Sequence, residues 1–298
     1  MVILNNKKIF SPFFKINDKN ELLYLGKQKI CKLSNDEEIN EYILKNEGVI
    51  YDEILNHSVK NNALVLEPHS DDFALSVLGC TLNEYNTTVL NIFSKTNPEY
   101  FTWKDSISIS DSEYEKIRLN ESSFVVEKLL GQQFISMKEK STRISNEDIN
   151  KIKTRIKNNI RLYLKHNLTD TIFVPMGIGN HPDHTVVFDS VLEIMDELKN
   201  YEIILYPEYP YARCRKSYNE RLKFVSERLN IAPMLKDVSD KLDLIVDCIS
   251  AFKSQFDDIN RNQMLAIVRE DCRALSTEYE TDDVVMVYFN IGGRKHEN

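Results

Sequence analysis

Ala63-Leu64-Val65-Leu66-Glu67-Pro68-His69-Ser70-Asp71-Asp72 is the most telling stretch of this chain. Four aliphatic residues in succession, with no polar alternation, read as a strand covered on both faces, the habit of parallel sheets. Metal-ligating side chains follow at once, where the strand would end. The same order recurs downstream: Thr171-Ile172-Phe173-Val174 is a second apolar run, and His181-Pro182-Asp183-His184 follows it across Met176-Gly177-Ile178-Gly179-Asn180. Ligands of open α/β sheets bind beyond the carboxyl ends of the strands. If the two strands are parallel neighbours, their loops converge.

Working outward, Thr88–Phe93, Ile203–Tyr206 and Val284–Phe289 read as further strands. Helical spacing fits 73–83, 111–130, 146–166, 185–198, 219–229 and 239–255. Strands alternating with amphipathic helices predict an α/β domain over 61–298, a mostly parallel sheet with helices on both faces. Residues 1–60 differ in texture. Phe13–Ile16 and Leu22–Leu25 flank a polar Asn17–Asn20 turn and predict a hairpin; Ser34 and Glu37 then fit a capping box opening a helix that stops at Gly48. That unit is expected to be a small appendage, and no chemistry is visible in it.

Composition narrows the partners. Over 298 residues the formal net charge is −8, which opposes a phosphate-tracking surface and excludes nucleic acid. Five scattered cysteines, Cys31, Cys80, Cys214, Cys248 and Cys272, include no close pair of the kind that builds a zinc knuckle. No apolar run approaches the roughly 18 residues of a membrane span, nor does an apolar leader follow Met1. A reducing cytoplasm and a small-molecule partner are expected.

The two loops can supply His69, Asp72 and His184 to one divalent ion, leaving a position for water, the pattern of a catalytic zinc site. Asp71, beside a ligand yet not one, is the candidate general base. His181 would stand across the metal to stabilise an oxyanion or protonate a leaving amine, and Asp183 would orient an imidazole. Helix caps offer a blander account, because Ser, Asp and Asn before a helix are ordinary N-caps. The conjunction weighs against it: three of the six histidines fall in two short strand-end loops.

At these residues the chain resembles the LmbE-like or PIG-L N-acetylglucosaminyl deacetylases. Their strand ends in Pro-His-Pro-Asp-Asp-Glu, matched here by Pro68-His69-Ser70-Asp71-Asp72-Phe73, and their later His-Pro-Asp-His is intact at 181–184. The likeness extends to Arg118-Leu119-Asn120-Glu121 through Leu130-Gly131, similar to an Arg-x-x-Glu helix, and to Asp237–Gln255, similar to a helix finishing in Ser-Gln. It covers roughly 61–260. It implies a Rossmann-like fold and a zinc-dependent enzyme that removes acetyl from an amino sugar. His69, Asp72 and His184 would be its metal ligands, Asp71 its base and His181 its electrostatic partner. Arg118 would reach substrate hydroxyls, unless it is an exposed helix arginine paired with Glu115 or Glu121.

Three positions depart from the pattern: Ser70 for Pro, Phe73 for Glu, and Gly179 where some members carry Tyr. Phe73 removes a carboxylate supporting the metal site. A tyrosine that polarises the carbonyl must come from elsewhere, and Tyr206-Pro207-Glu208-Tyr209-Pro210-Tyr211 is the source, with Tyr209 and Tyr211 expected to meet substrate; a packed loop is the alternative. Zn2+ is the expected cofactor, with Fe2+ or another divalent metal open. His69-Ser70-Asp71 with His184 also imitates the facial triad of non-haem iron oxygenases, and a sugar-binding relative without catalysis is a third reading.

Overall fold

The structure, a computed structural model, describes residues 61–95, 110–256, 258–279, 281 and 284–294 (side chains to 292), with the backbone of five short strands ahead of them. Among those five, β1 (Val2–Leu4) pairs antiparallel with β2 (Lys7–Ile9), while β3 (Phe14–Ile16), β4 (Glu21–Tyr24) and β5 (Gln28–Lys32) form a three-stranded antiparallel sheet. The antiparallel β3–β4 register, Phe14 opposite Tyr24 and Ile16 opposite Leu22, matches the strand pairing of the expected hairpin, while Asn17–Asn20 lie outside the described residues. The helix expected after Ser34 lies outside the described residues.

The main sheet has seven strands: β6 (Asn61–Glu67), β7 (Tyr85–Lys95), β8 (Gln133–Lys140), β9 (Thr171–Pro175), β10 (Glu202–Tyr206), β11 (Leu229–Asp237) and β12 (Val285–Arg294). Their order is β11-β12-β10-β9-β6-β7-β8. The block from β10 to β8 is parallel throughout, and β12 joins antiparallel to β10 and to β11. The sheet is mixed and mostly parallel.

From β6 the chain winds outward through β7 to β8, then returns to the other side of β6 as β9 and continues to β10. The reversal of strand order therefore falls between β6 and β9, the two strands that carry the ligand loops, and a crevice opens at such a switch point. Period-2 alternation makes β6 two-faced: Ala63 and Val65 enter one apolar cluster, Leu64 and Leu66 another. The first cluster is closed by Phe73, Val77, Phe124 and the helix Leu242–Ser250, and the second by the helices Ile149–His166, Pro182–Glu193 and Arg215–Ser226.

Several elements differ from expectation. The 111–130 segment is an α-helix only over Asp111–Ser123, then widens to a π-helix over Phe124–Leu129. The 73–83 segment likewise opens as a π-turn, Phe73–Val77, before Leu78–Thr81. The 239–255 helix breaks into Leu242–Ser250 and Lys253–Phe256. Two strands, β8 and β11, and the helix Arg261–Ser276 were not anticipated. Both strands lie at sheet edges and mix half-buried with exposed residues, and the apolar run of β11, Ile231–Leu235, is interrupted by Pro233, which argues against a strand. No helix among the described residues is long and apolar enough to cross a membrane.

Candidate active site

Beyond β6 the loop Glu67–Phe73 closes on itself. The Asp72 carboxylate accepts the backbone N–H of His69 at 2.8 Å, and the Asp72 N–H donates to the His69 carbonyl at 3.3 Å. Beyond β9 the chain turns through Gly177 in the left-handed region, φ +80°, and His181 then ends extended before Pro182 opens a helix. Proline at a first helical position has no N–H to leave unsatisfied. The two loops meet: the imidazoles of His69, His181 and His184 form a triangle with centroids 4.8, 4.9 and 4.9 Å apart.

Hydrogen bonds fix which ring nitrogens face the centre. His69 Nε2 lies 2.9 Å from Asp183 Oδ2, and His184 Nδ1 lies 3.1 Å from Glu208 Oε1. A carboxylate only accepts, so each of those nitrogens carries the proton and the opposite nitrogen presents a lone pair. His69 Nδ1 and His184 Nε2 are 3.1 Å apart, and Asp72 Oδ2 stands 3.8 and 3.4 Å from them. In their neutral tautomers three electron-pair donors thus converge, the protonation state that a bound cation requires. Ligand atoms ~2.0–2.2 Å from a tetrahedral ion sit about 3.3–3.6 Å from one another, so this donor set fits a divalent cation of zinc size.

His181 is the other candidate ligand, since ligand atoms of His69, His181 and His184 all lie within 4.8 Å. The His69, Asp72 and His184 set is the tighter one and the one whose tautomers are fixed. The electrostatics agree that positive charge is wanted here. Burial would lower the His184 pKa, but Asp72 and Glu208 push it up to about 9. Burial also raises the carboxyls of Glu67 and Asp72 above their usual range. Asp183 resists its own burial, and hydrogen bonds from His69, Ser141 and Thr142 hold it below the usual carboxylate range. His181 is pushed down to about 3, first by burial and then by its two imidazole neighbours, so its ring is neutral.

Asp71 is partly exposed at the cleft, and Arg118 Nη2 donates to its Oδ1 at 3.1 Å. Arg118 is neither exposed nor paired with Glu115. It is 3% exposed, and the helix that carries it docks on the ligand loop, where Ser122 Oγ donates to the Ser70 carbonyl at 2.8 Å. One turn on, buried Glu121 accepts Ser254 N at 2.7 Å and Ser254 Oγ at 2.5 Å. The two outlying likenesses, Arg-x-x-Glu and Ser-Gln, are therefore one contact.

The tyrosines divide. Tyr209 is 2% exposed, its N–H held by Ser76 Oγ at 3.1 Å, so its ring is enclosed by the core although the residue still forms part of the cleft wall. Tyr211 is 39% exposed and sets its ring 5.7 Å from that of His184 and 6.0 Å from that of His181. It packs over Gly179, where a Cβ would meet the Tyr211 ring at 3.6 Å. A cleft of about 320 Å³ lies over this group, lined by His69, Asp71, Arg118, Arg143, His181 and Tyr211 among others.

Glu208 was missed. It is fully buried, and besides orienting His184 it accepts the N–H groups of Gly177 at 2.5 Å and Ile178 at 3.2 Å. Its only sequence signal was an acidic residue just past a strand end, hidden among tyrosines. Behind the same loop, Arg221 Nε donates to the Met176 carbonyl, its guanidinium lying over the rings of Phe188 and Phe224 at 4.5 and 4.6 Å. A Cβ on Gly177 would approach Arg221 Nη2 to 2.9 Å, so both the turn and the packing require glycine there.

No family model matches this sequence, and no curated relative does. Solved structures do. Teicoplanin deacetylase Orf2 aligns over 80% of this chain and 100% of its own with TM-score 0.59 at 14% identity. The N,N'-diacetylchitobiose deacetylase from Pyrococcus horikoshii aligns over 88% and 94%, with TM-score 0.54 at 17% identity. GalB, the 4-carboxy-2-hydroxymuconate hydratase from Pseudomonas putida, aligns over 80% and 99%, with TM-score 0.51 at 12% identity. One architecture thus serves more than one reaction, and function must be argued from the site. In fold, the chain is similar to the LmbE/PIG-L-type deacetylases that its sequence motifs resemble.

Proposed function

We propose that this protein is a divalent-metal-dependent amidohydrolase, with zinc the preferred ion, that removes acetyl from an N-acetylated amino sugar or sugar conjugate. The observation that carries this reading is the convergence of His69 Nδ1, Asp72 Oδ2 and His184 Nε2, three lone-pair atoms at 3.1–3.8 Å with their tautomers set by Asp183 and Glu208. These three would hold the ion. When bound, it would supply Lewis acidity and bring the pKa of a coordinated water from 15.7 to about 7.

The remaining steps belong to side chains. Asp71 has Oδ1 on Arg118, which leaves Oδ2 to take the proton of the attacking water. Arg118 holds that carboxylate in place, a positioning role rather than the substrate contact expected from the resemblance. His181, neutral because burial and its neighbours depress its pKa to about 3, donates a hydrogen bond to the developing oxyanion, and the proton that Asp71 takes from the water passes to the departing amine nitrogen. Tyr211, its pKa pushed up to about 12 by burial, keeps its hydroxyl proton and presents it at the rim to the acetamide carbonyl or a sugar hydroxyl.

Residues 61–298 form the catalytic domain in this proposal, and 1–60 an appendage outside the chemistry. The deciding experiment is acetate release from a panel of N-acetylated sugars by protein stripped of metal and reloaded with Zn2+, Fe2+ or buffer. Zinc-dependent acetate release is expected. A protein that binds no divalent metal, or that hydrates an unsaturated acid while leaving every acetamide intact, would sink the reading.

A further inference from the structure

Phe73 stands where the resembling motif has its last glutamate, so the first loop is short of a carboxylate at its closing end. The structure supplies one from the other end. Glu67 is the last residue of β6, and alternation from Ala63 and Val65 aims it at the face on which Phe73 and Val77 pack. It is 1% exposed. Its Oε1 accepts the backbone N–H of Phe73 at 3.2 Å, and its Oε2 accepts Asn91 Nδ2 at 3.1 Å. Asn91 is held in turn by Ser136 Oγ at 3.3 Å.

The first N–H groups of a helix have no partner within the helix, and the N–H of Phe73 is one of them. Asp72, the residue before it, has no cap to spare, because its carboxylate accepts the His69 N–H at 2.8 Å and faces the two imidazoles. Asp72 is therefore pinned on both sides. His69 fixes its side chain and Glu67 fixes the peptide that follows it.

We propose that Glu67 is a positioning residue of the metal site: it clasps the loop from Glu67 to Phe73 and replaces, from the strand side, the carboxylate that Phe73 lacks. Phe73 in exchange fills the apolar layer, at 2% exposure. The inference rests on the metal-site assignment above, and concerns metal affinity rather than the amide hydrolysed.

The test is zinc affinity of the full chain by chelator competition, backed by the visible spectrum of the cobalt-loaded protein. Residues that support metal ligands are worth ~10–100-fold in affinity. Glu67→Ala is expected to lose that much and to alter the cobalt spectrum, while Glu67→Gln, which keeps an acceptor oxygen, stays within about threefold of wild type. The double variant Glu67→Ala/Phe73→Glu moves the carboxylate to the other end of the clasp and is expected to recover most of the loss. Affinity of Glu67→Ala within twofold of wild type, or a double variant no better than the single, overturns the proposal. If Glu67→Ala does not fold, the double variant decides: near-wild-type affinity supports the clasp, and weak binding or no folding overturns it. A wild-type chain that binds no divalent metal ends the proposed function as well, whereas intact binding with no effect at Glu67 ends this inference alone.

Discussion

The two ligand loops do the same job and are held in opposite ways. The first is clasped from within: Asp72 bonds a residue three positions back and Glu67 a residue six positions on. The second is held from outside. Glu208, 24–31 residues away, takes its two N–H groups and the ring of His184, and Arg221, 45 residues from Met176, takes its carbonyl. A loop of the first kind carries much of its own shape, with Ser122 and β7 bracing it from beside. A loop of the second kind acquires its shape only when the next strand and helix have docked, so its geometry reports the integrity of the whole crevice.

Variants can strain this contrast. The largest effect is expected at the open side of the first loop: Asp71→Asn should lower kcat by ~10²–10⁴-fold while zinc content, read by elemental analysis, stays at the wild-type level. Full activity in that variant would remove the proton-transfer role. Next comes the outside clamp. Glu208→Ala should weaken zinc binding ~10–100-fold and lower the melting temperature as well, because two backbone N–H groups lose their acceptor. A loss of metal affinity with unchanged stability would mean that Glu208 serves His184 alone.

Arg221→Met removes the guanidinium from over Phe188 and Phe224 and leaves the buried Met176 carbonyl without its donor. About 1–3 kcal/mol of stability should go, by denaturant titration, with activity falling alongside it. An unchanged protein would show that the second loop needs no support from behind. Such a result would erase the contrast between the loops.

The smallest effect concerns Glu121, which joins the Arg118 helix to Ser254. Burial, against hydrogen bonds from Ser254, raises its carboxyl to about 8. A folded-state pKa above the unfolded value means that the folded state binds the proton more tightly, so this stabilisation is complete below the unfolded pKa and fades as pH rises through about 8. Glu121→Gln, with no proton to lose, should melt with a flatter pH dependence between pH 6 and 9 than wild type. Parallel profiles for the two proteins would contradict the assignment.

Where the outcome follows from neighbouring residues, the sequence was legible. The apolar runs of β6, β9 and β10, the carboxyl-end placement of both motifs and the hairpin after Phe13 all depend on local alternation and turn chemistry. The convergence of His69, Asp72 and His184 followed from parallel strands at a switch point. The legibility stops where a side chain's environment comes from another element. Arg118 was expected to reach substrate hydroxyls or to sit on the surface, and its contact with Asp71 came only from the docking of its helix. Tyr209 and Tyr211, two positions apart, looked alike until one was enclosed by the core and the other left at the rim. The edge strands β8 and β11 carry mixed polarity because each is covered only in part, Phe134 and Met234 packing on one apolar cluster and Ile135, Met137 and Ile231 on the other.

The ligand chemistry was thus written in the order of residues, since a histidine or aspartate brings its donor atoms wherever it goes. Which nitrogen of each ring faces the centre, and that Glu208 and Glu67 hold the two loops, was decided by packing. A buried carboxylate finds its partner among whatever backbone groups the fold leaves without one, and those groups are set by three-dimensional neighbours rather than by position along the chain.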